Sequence, residues 1–456
     1  MGSNRLYDAT LRADVPGPSG SAHLNNLRFW MGQVDYSRKR LASYGDVPVV
    51  GVTLGNGSIV AVRGSAATKQ VLGDVTTFEH LSDGPLALPT GQPYSTLFDA
   101  TATLNGRRNV RSRKLLLPIM HRSAIHSYEK IVIRNFERSP FARPTGETFD
   151  LVAELDRLTN ANMLACLIGL GDAEAELSER VTQLLVATMD PRVFLFRFGR
   201  RTPYGRWLRL VESVHRDLSA LIDANRDAEP RVDALSILCH ATDEDGRRLS
   251  TDEIVGELHG MLASGYLTTS VTMAWAMIAL AGGHAQDELD SVIKETQRLM
   301  PTVPMSLPRR VMRDVDIQGT WVPRGALLFL STYLEHRNPK VYDRPHEFDP
   351  TRWATVKPTP FEFFPYGAGA RRCLGAAFAE MQLRTTFELL LQTGVPELLS
   401  TNLRHHMTGG VVAAPRGPVM MRMHPPGTAV RDSSAVLERF WRSLRRDGPG
   451  GRRGRS

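Results

Sequence analysis

Residues 361–375 read Phe-Glu-Phe-Phe-Pro-Tyr-Gly-Ala-Gly-Ala-Arg-Arg-Cys-Leu-Gly. One thiolate in a glycine-rich loop is what a haem iron takes as an axial ligand, and Cys373 offers it. Gly367, Gly369 and Gly375 let the backbone approach a flat ligand and take positive φ where a turn requires it. A tight loop also aims backbone N–H groups at the sulfur, which tunes its electron donation. Arg371 stands two residues before the cysteine, placed to pair with a carboxylate of the same ligand. A lone cysteine is more often a small buried hydrophobe. The order Phe364, Gly367, Gly369, Arg371, Cys373, Gly375 sets this one apart.

Other residues carry chemistry at readable spacings. Glu295 and Arg298 stand three apart in Lys-Glu-Thr-Gln-Arg-Leu, on one helix face. Such a pair is ordinarily a solvated ion pair of small value. Here the helix runs into Pro301-Thr-Val-Pro304, and Phe348-Asp-Pro-Thr-Arg352-Trp353 follows. Residues 258–286 contain no Asp, Glu, Lys or Arg and include Ser264-Gly265-Tyr266-Leu267-Thr268-Thr269. On length that run could span a bilayer. Its Ser and Thr content and the capping box Ser250/Glu253 instead predict the buried central helix of a large domain.

The cysteine run resembles the haem-binding signature of the cytochrome P450 family, with every defining position filled. The likeness extends over most of residues 25–425. It implies a mainly α fold with a small β-rich lobe, a helical prism around a buried haem b with Cys373 as the iron ligand. It implies that Glu295, Arg298 and Arg352 form a buried triad that positions the cysteine loop. It implies that Arg309, in Leu307-Pro308-Arg309, and Arg113, in residues 106–114, hold the haem carboxylates. Asn109 takes the place of the family's aromatic or histidine, and His336 is placed to reach the haem edge. On the oxygen side, Gly265 and Thr268 match the family, with Ser264 and Thr269 beside them. The family's acid is replaced by Leu267, which cannot relay protons. Water, Thr268 or a substrate group would then carry protons, or peroxide would replace dioxygen, or the reaction would be an oxidative ring closure or coupling.

By the same resemblance the chain is a monooxygenase that hydroxylates or epoxidises a hydrophobic small molecule. The stretches Thr202-Pro-Tyr-Gly-Arg-Trp-Leu-Arg and Arg113-Lys-Leu-Leu-Leu-Pro resemble a bacterial branch that oxidises fatty acids and terpenes. A terpenoid, lipid or other biosynthetic intermediate is the expected substrate. The pocket would draw on residues 80–100, 190–206, 264–268, 303–306 and 407–412, with Phe194, Phe196, Val303 and Met305 as apolar members. Electrons would come from a separate ferredoxin or flavodoxin at a basic face of Arg107, Arg108, Arg111, Lys114 and Arg372. A non-catalytic haem- or ligand-binding protein is the alternative from another class, favoured only by Leu267.

The rest of the chain must position these residues. At 456 residues it can bury an ample core and enclose a large cofactor. Composition is ordinary for a globular protein, at 42% apolar and 23% charged. The net charge of +8 is dispersed and comes with no nucleic-acid motif. Cys166, Cys239 and Cys373 form neither a disulfide framework nor a zinc spacing, which fits a reducing cytoplasm. No signal peptide is expected, and Leu6 removes a myristoylation signal at Gly2.

Residues 1–25 are expected to be a loose arm, residues 26–425 a single catalytic domain, and the protein a monomer. Residues 46–64 read as a hairpin about Gly55-Asn56-Gly57. Residues 105–300 are mostly helical, residues 302–334 short strands, and residues 403–424 strands and turns. Residues 426–456 form a basic tail. Within it residues 435–446 make a short amphipathic helix with Val436, Leu437, Phe440, Trp441 and Leu444 apolar. That helix is either a docked tail or a docking element for a partner or an anionic surface. The Gly/Arg-rich end is expected to be disordered.

Overall fold

The computed structural model describes residues 15–18, 21–53, 59–81, 95–96, 99–170, 175–190, 193, 199, 201–282 and 289–445. Fourteen α-helices are present among them. They are α1 Ala22–Met31, α2 Gln33–Lys39, α3 Ser65–Gly73, α4 Gly106–Leu116, α5 Arg122–Glu137, α6 Leu151–Leu167 and α7 Ala175–Met189. Then follow α8 Pro203–Arg226, α9 Ala234–His240, α10 Thr251–Leu280, α11 Leu289–Leu299, α12 Thr332–Glu335, α13 Ala376–Thr393 and α14 Ser434–Ser443.

Helix α10 is the axis of the fold. Ser250 Oγ accepts the Glu253 N–H at 3.2 Å, and Glu253 accepts the Ser250 N–H at 2.8 Å, so the capping box forms. A helix apolar on all sides belongs inside. α10 is buried at Leu258 and Leu262 and again, except at Thr272, from Thr269 to Leu280. Between them, residues 263–268 are only partly covered, and Ser264 is exposed. One apolar cluster gathers α6, α13, α14 and the second half of α10 around Trp275. Another gathers α5, α6, α8 and the first half of α10 around Trp207.

The β-rich lobe is built on a five-stranded sheet. Its strands β1 Val49–Thr53, β2 Ile59–Val62, β3 Phe78–His80, β5 Arg309–Val311 and β8 Leu327–Leu330 lie in the order β1-β2-β8-β5-β3. β1 and β2 are antiparallel, with Val49 opposite Val62, as the hairpin expectation requires. The turn itself lies outside the described residues. β2 and β8 are parallel. Alternate residues serve opposite faces. Val49, Val60 and Leu328 enter one cluster, and Val50, Ile59 and Phe329 another. Smaller sheets pair β4 Thr148–Asp150 and β9 Val395–Leu398 with β12 Met420–His424. The hairpins β6 Val315–Ile317 with β7 Thr320–Val322, and β10 His405–Thr408 with β11 Val412–Pro415, complete the strands.

The two ends of the described chain are held. Val15 is buried, and the Gly51 N–H donates to the Pro16 carbonyl at 2.8 Å. Leu437, Phe440 and Trp441 of the C-terminal helix, with Leu444 just past its end, lie in the cluster around Trp275, so its apolar stripe faces this chain's own core. Among the described residues no helix is long and apolar enough to cross a membrane.

Candidate active site

The cysteine loop needs glycine for two separate reasons. Gly367 and Gly369 take φ of 68° and 67°. A Cβ on Gly369 would also meet the Leu72 carbonyl oxygen at 2.8 Å. The Cys373 N–H closes the turn on the Tyr366 carbonyl at 2.8 Å. The thiol is accessible although protein surrounds it. Burial pushes its pKa up, while the Gly375 N–H and the charges of Arg372 and Arg113 pull it back.

Beneath the loop, α11 supplies a fully buried carboxylate. Glu295 takes Arg298 in a fork, at 2.8 and 2.9 Å, and Arg352 at 3.0 Å. The Trp353 indole and the Asp349 N–H complete its bonds, at 3.1 and 2.9 Å. Arg298 donates onward to the carbonyls of His336, Pro345 and Glu347. Arg352 donates to those of Asp343, Arg344 and Glu347. The charges and donors are thus matched inside the protein, the condition for tolerating a buried ion pair.

His336 links this network to the cysteine loop. Its carbonyl receives Arg298 at 2.9 Å, and its Nε2 accepts the Phe364 N–H at 2.9 Å. Burial, then the charge of Arg298, hold it neutral, with a pKa of about 3. Neutrality is required, because a protonated ring could not accept that bond. The expectation that His336 reaches a cofactor edge is therefore corrected: it is wholly buried between the triad and the loop. Two further ties were not read from sequence. Gln297 donates to the Tyr366 hydroxyl at 3.0 Å, and the rings of Trp353 and Phe363 lie 4.7 Å apart.

A second group, two arginines and a histidine, is assembled from three segments. β3 and β5 run antiparallel with His80 opposite Arg309. Arg371 comes from the cysteine loop and donates to Asn105 Oδ1 at 2.7 Å. That amide also accepts the His80 N–H and donates to the His80 carbonyl. Arg309 reaches the Phe78 carbonyl at 3.3 Å, but its Nε and the Nε2 of His80 have no partner among the described residues. Burial lowers Arg309 to about 10, helped by Arg371. Burial and the two arginines hold His80 down at about 3. Among the described residues no carboxylate pairs with Arg309 or Arg371. His80 escaped the sequence reading. Its only signal was the pairing of two three-residue strands.

Arg113 stays close to the site, where its charge acts on both Cys373 and Arg371. Arg113 is half-buried beside the loop and donates to the Arg372 carbonyl at 3.0 Å. Asn109 is turned away, donating to the Thr101 carbonyl at 2.7 Å. The reason is Glu257, a buried carboxyl on α10 that draws Thr101 and Ser112 to itself. Thr268 Oγ1 donates to the Ser264 carbonyl at 2.6 Å, one turn back along α10. Thr269 is buried, on a different face from Thr268. A Cβ on Gly265 would stand 2.2 Å from Met163 Cε, so the glycine admits α6. Leu267 packs against the apolar cluster around Trp275. Asp156 is bonded to Tyr266 and Ser270, one turn apart on the helix face opposite Thr268.

Two surface expectations also change. Of the basic face, Arg108 pairs with Asp99, Arg111 with Asp243 and Glu253, and Lys114 with Glu244, at 2.6 to 2.8 Å. Arg107 and Arg372 are exposed. Of the pocket segments, residues 82–94, 191–192, 194–198 and 200 lie outside the described residues, Phe194 and Phe196 among them. Met305 does not line a pocket; it is buried with Phe29 and Phe329.

Comparison with known proteins places this arrangement. The family model described as cytochrome P450 matches residues 21–283 and 288–413. A protein of Mycobacterium tuberculosis described by name alone as cytochrome P450 138 is 31% identical over 349 residues, covering 70% of this chain and 77% of its own. Another from that organism, cytochrome P450 137, is 28% identical over 340 residues, covering 70% and 71%. Among solved structures, retinoic acid bound cyanobacterial CYP120A1 superposes with a TM-score of 0.74 at 22% identity, covering 91% of this chain and all of that one. P450BioI, in complex with hexadec-9Z-enoic acid ligated acyl carrier protein, gives 0.70 at 17% identity, covering 84% and 97%. The sequence match over most of its length, carried on the same fold, makes this chain a member of the cytochrome P450 family, the haem-thiolate monooxygenases.

Proposed function

We propose that this chain binds haem b on Cys373 and uses it to insert oxygen into a hydrophobic small molecule. One observation carries the reading. An accessible thiol shares its loop with a half-buried cation, Arg371, that meets the buried Arg309 and His80 with no carboxylate paired to either arginine among the described residues. A buried cation lacking a counter-charge is costly, and the two carboxylates of a haem would supply one. The residues present therefore fit the group. When bound, it supplies an iron that activates oxygen for transfer to a C–H or C=C bond.

The chain's own residues do the rest. Cys373 gives its sulfur, and Gly375 holds a backbone N–H on it. The triad fixes the loop through His336 and Gln297. Ser264 and Thr268 line the opening in α10, with the Thr268 proton parked on the Ser264 carbonyl. Leu267 brings no proton to that place, and Asp156 serves the opposite helix face. We infer that water or a substrate group delivers protons by way of Thr268. Peroxide, which brings its own protons, is the second reading that Leu267 supports.

An apolar substrate is supported by the largely apolar segments about the opening and by two structural neighbours that carry retinoic acid and a hexadecenoyl chain. Terpenoids, lipids and other biosynthetic intermediates are the classes to try. Electrons would come from a separate ferredoxin or flavodoxin that meets the surface of Arg107 and Arg372.

Optical titration of the purified ferric protein tests the reading. A thiolate-type carbon monoxide spectrum is expected, with a low- to high-spin shift for one apolar class. Turnover with reductant and with peroxide then separates the two proton routes. A carbon monoxide spectrum without thiolate character would overturn the assignment of Cys373.

A further inference from the structure

The family match ends at residue 413, and α14 lies beyond it. It nonetheless packs where the two halves of the site meet. Phe440 and Trp441 are adjacent, with ring planes 57° apart, so they serve different partners. Phe440 stacks on Trp275 at 5.0 Å and 10°. Trp441 stacks on Phe348 at 5.0 Å and 9°. Offset or parallel contacts of this kind add to the apolar area they bury.

Each partner matters to the site. Trp275 lies on α10, about two turns beyond Thr268, and its indole N–H is fixed on the Ala413 carbonyl at 2.8 Å. Phe348 stands between two residues that complete the triad. The carbonyl of Glu347 receives Arg298 at 2.9 Å and Arg352 at 3.2 Å, and the Asp349 N–H donates to Glu295 at 2.9 Å. The end of the helix is tied as well. Tyr333 donates its hydroxyl to the Leu444 carbonyl at 3.1 Å, and Arg445 lies 3.5 Å from the Glu347 carboxylate.

We propose that α14 is a clamp on the haem-thiolate site, with Trp441 and Phe440 as positioning residues. It holds the turn over residues 343–349 against α10. Through that turn it sets the carbonyls that orient Arg298 and Arg352, then His336, then the cysteine loop. Without the clamp, Phe348 loses its stack on Trp441 and the triad's acceptors loosen around buried guanidinium groups, which cannot go unpaired cheaply. The effect is thus on sulfur placement as well as on stability. This inference rests on the reading that haem sits on Cys373.

The test uses the haem-loaded full chain and W441L, W441F and F440L. W441L keeps an apolar but smaller side chain and removes the stack; W441F keeps a ring. The readouts are the thiolate share of the carbon monoxide spectrum, the rate of haem transfer to an acceptor protein, and the melting temperature. W441L is expected to lose thiolate character and release haem about tenfold faster, and W441F to recover most of both. Removing residues 446–456 alone should change neither. A W441L protein that melts lower but keeps the wild-type spectrum and release rate would reduce α14 to a stability element and overturn the clamp. A wild type without a thiolate spectrum would instead overturn the haem reading beneath it. F440L tests the same clamp from the α10 side, and an unchanged spectrum there with a changed one in W441L would confine the clamp to the triad turn.

Discussion

Arg298 and Arg352 are buried with a carboxylate between them and backbone carbonyls around them. Arg309 is equally buried and Arg371 half-buried, yet they meet a carbonyl, an amide oxygen and each other's charge. The first group is complete within the chain and belongs to the scaffold. The second is left open, and on the proposed reading a ligand's carboxylates complete it. The contrast separates two roles that a list of conserved-looking arginines would merge. A satisfied buried charge holds the fold, and an unsatisfied one marks a receptor.

The largest effect should come from breaking the complete group. Glu295→Gln leaves two buried guanidinium groups without their counter-charge and should cost about 3–5 kcal/mol. Denaturant unfolding should show it in the haem-free and haem-loaded proteins alike. A loss confined to the haem-loaded protein would mean that the triad belongs with the ligand site.

Opening the receptor should behave in the opposite way. Arg309→Met removes a buried cation that has no carboxylate partner among the described residues. The haem-free protein should then be as stable as before or more so. Haem affinity should fall roughly tenfold to a hundredfold, the worth of one lost charge-assisted hydrogen bond. Equal losses of stability in both forms would erase the distinction between the two groups.

What could be read in advance follows the same line. The cysteine loop and Glu295-x-x-Arg298 were legible because each is contiguous, and its spacing alone puts the groups on one loop or one helix face. The buried central helix followed from an uncharged run with a capping box, and the fold class from the family resemblance that the cysteine loop carries. Asn109 and His336 were misplaced because spacing fixes a helix face or a turn but not the neighbour that will meet it. Glu257, far along the chain, organises the polar cluster that Asn109 joins. His336 is claimed by the Phe364 N–H. Thr269 failed by one residue, a rotation of about 100° around the helix. His80 went unread because a single histidine at the end of a short strand says nothing until β5 lies beside it. The C-terminal helix showed its apolar stripe in the sequence, but only tertiary structure could show that Trp275 and Phe348 cover it.

The two histidines sharpen the comparison through pH. His336 and His80 are both held neutral in the folded chain, near pKa 3, from an ordinary 6.5. An unfolded histidine takes a proton below about pH 6.5 that these folded ones refuse. Their contribution to stability is therefore complete above about pH 6.5 and is lost as pH falls toward the folded values. For the fully buried His336 the loss is about 1.4 kcal/mol per pH unit over most of that window, with or without haem. His80 should differ. Carboxylates on Arg309 and Arg371 would raise its folded pKa, so its acid penalty shrinks when haem is bound. Unfolding at pH 7, 6 and 5 should show a steeper acid loss in the haem-free protein, and His80→Gln should narrow that gap. Equal slopes with His80 in place would argue against carboxylates in the cleft.

The smallest expected effect lies on the surface, where the same contrast between closed and open cations recurs. Lys114 carries Glu244 at 2.6 Å, and Arg111 carries Asp243 and Glu253. Arg107 and Arg372 are exposed and carry no carboxylate among the described residues. On the proposed reading, an acidic electron donor would meet a face whose positive field is mostly cancelled by this chain's own carboxylates. Removing a counter-charge should unmask it. Glu244→Gln adds one unit of net positive charge beside Lys114 and, as an exposed substitution, should shift stability by no more than about 0.5 kcal/mol. Reduction by an acidic ferredoxin should become about two- to threefold faster at low ionic strength, and the gain should vanish as salt shortens the Debye length below about 10 Å. Stopped-flow reduction across a salt series measures it. An unchanged rate at every salt concentration would place the electron donor's footprint away from α4, and a slower one would mean that the partner presents a basic surface.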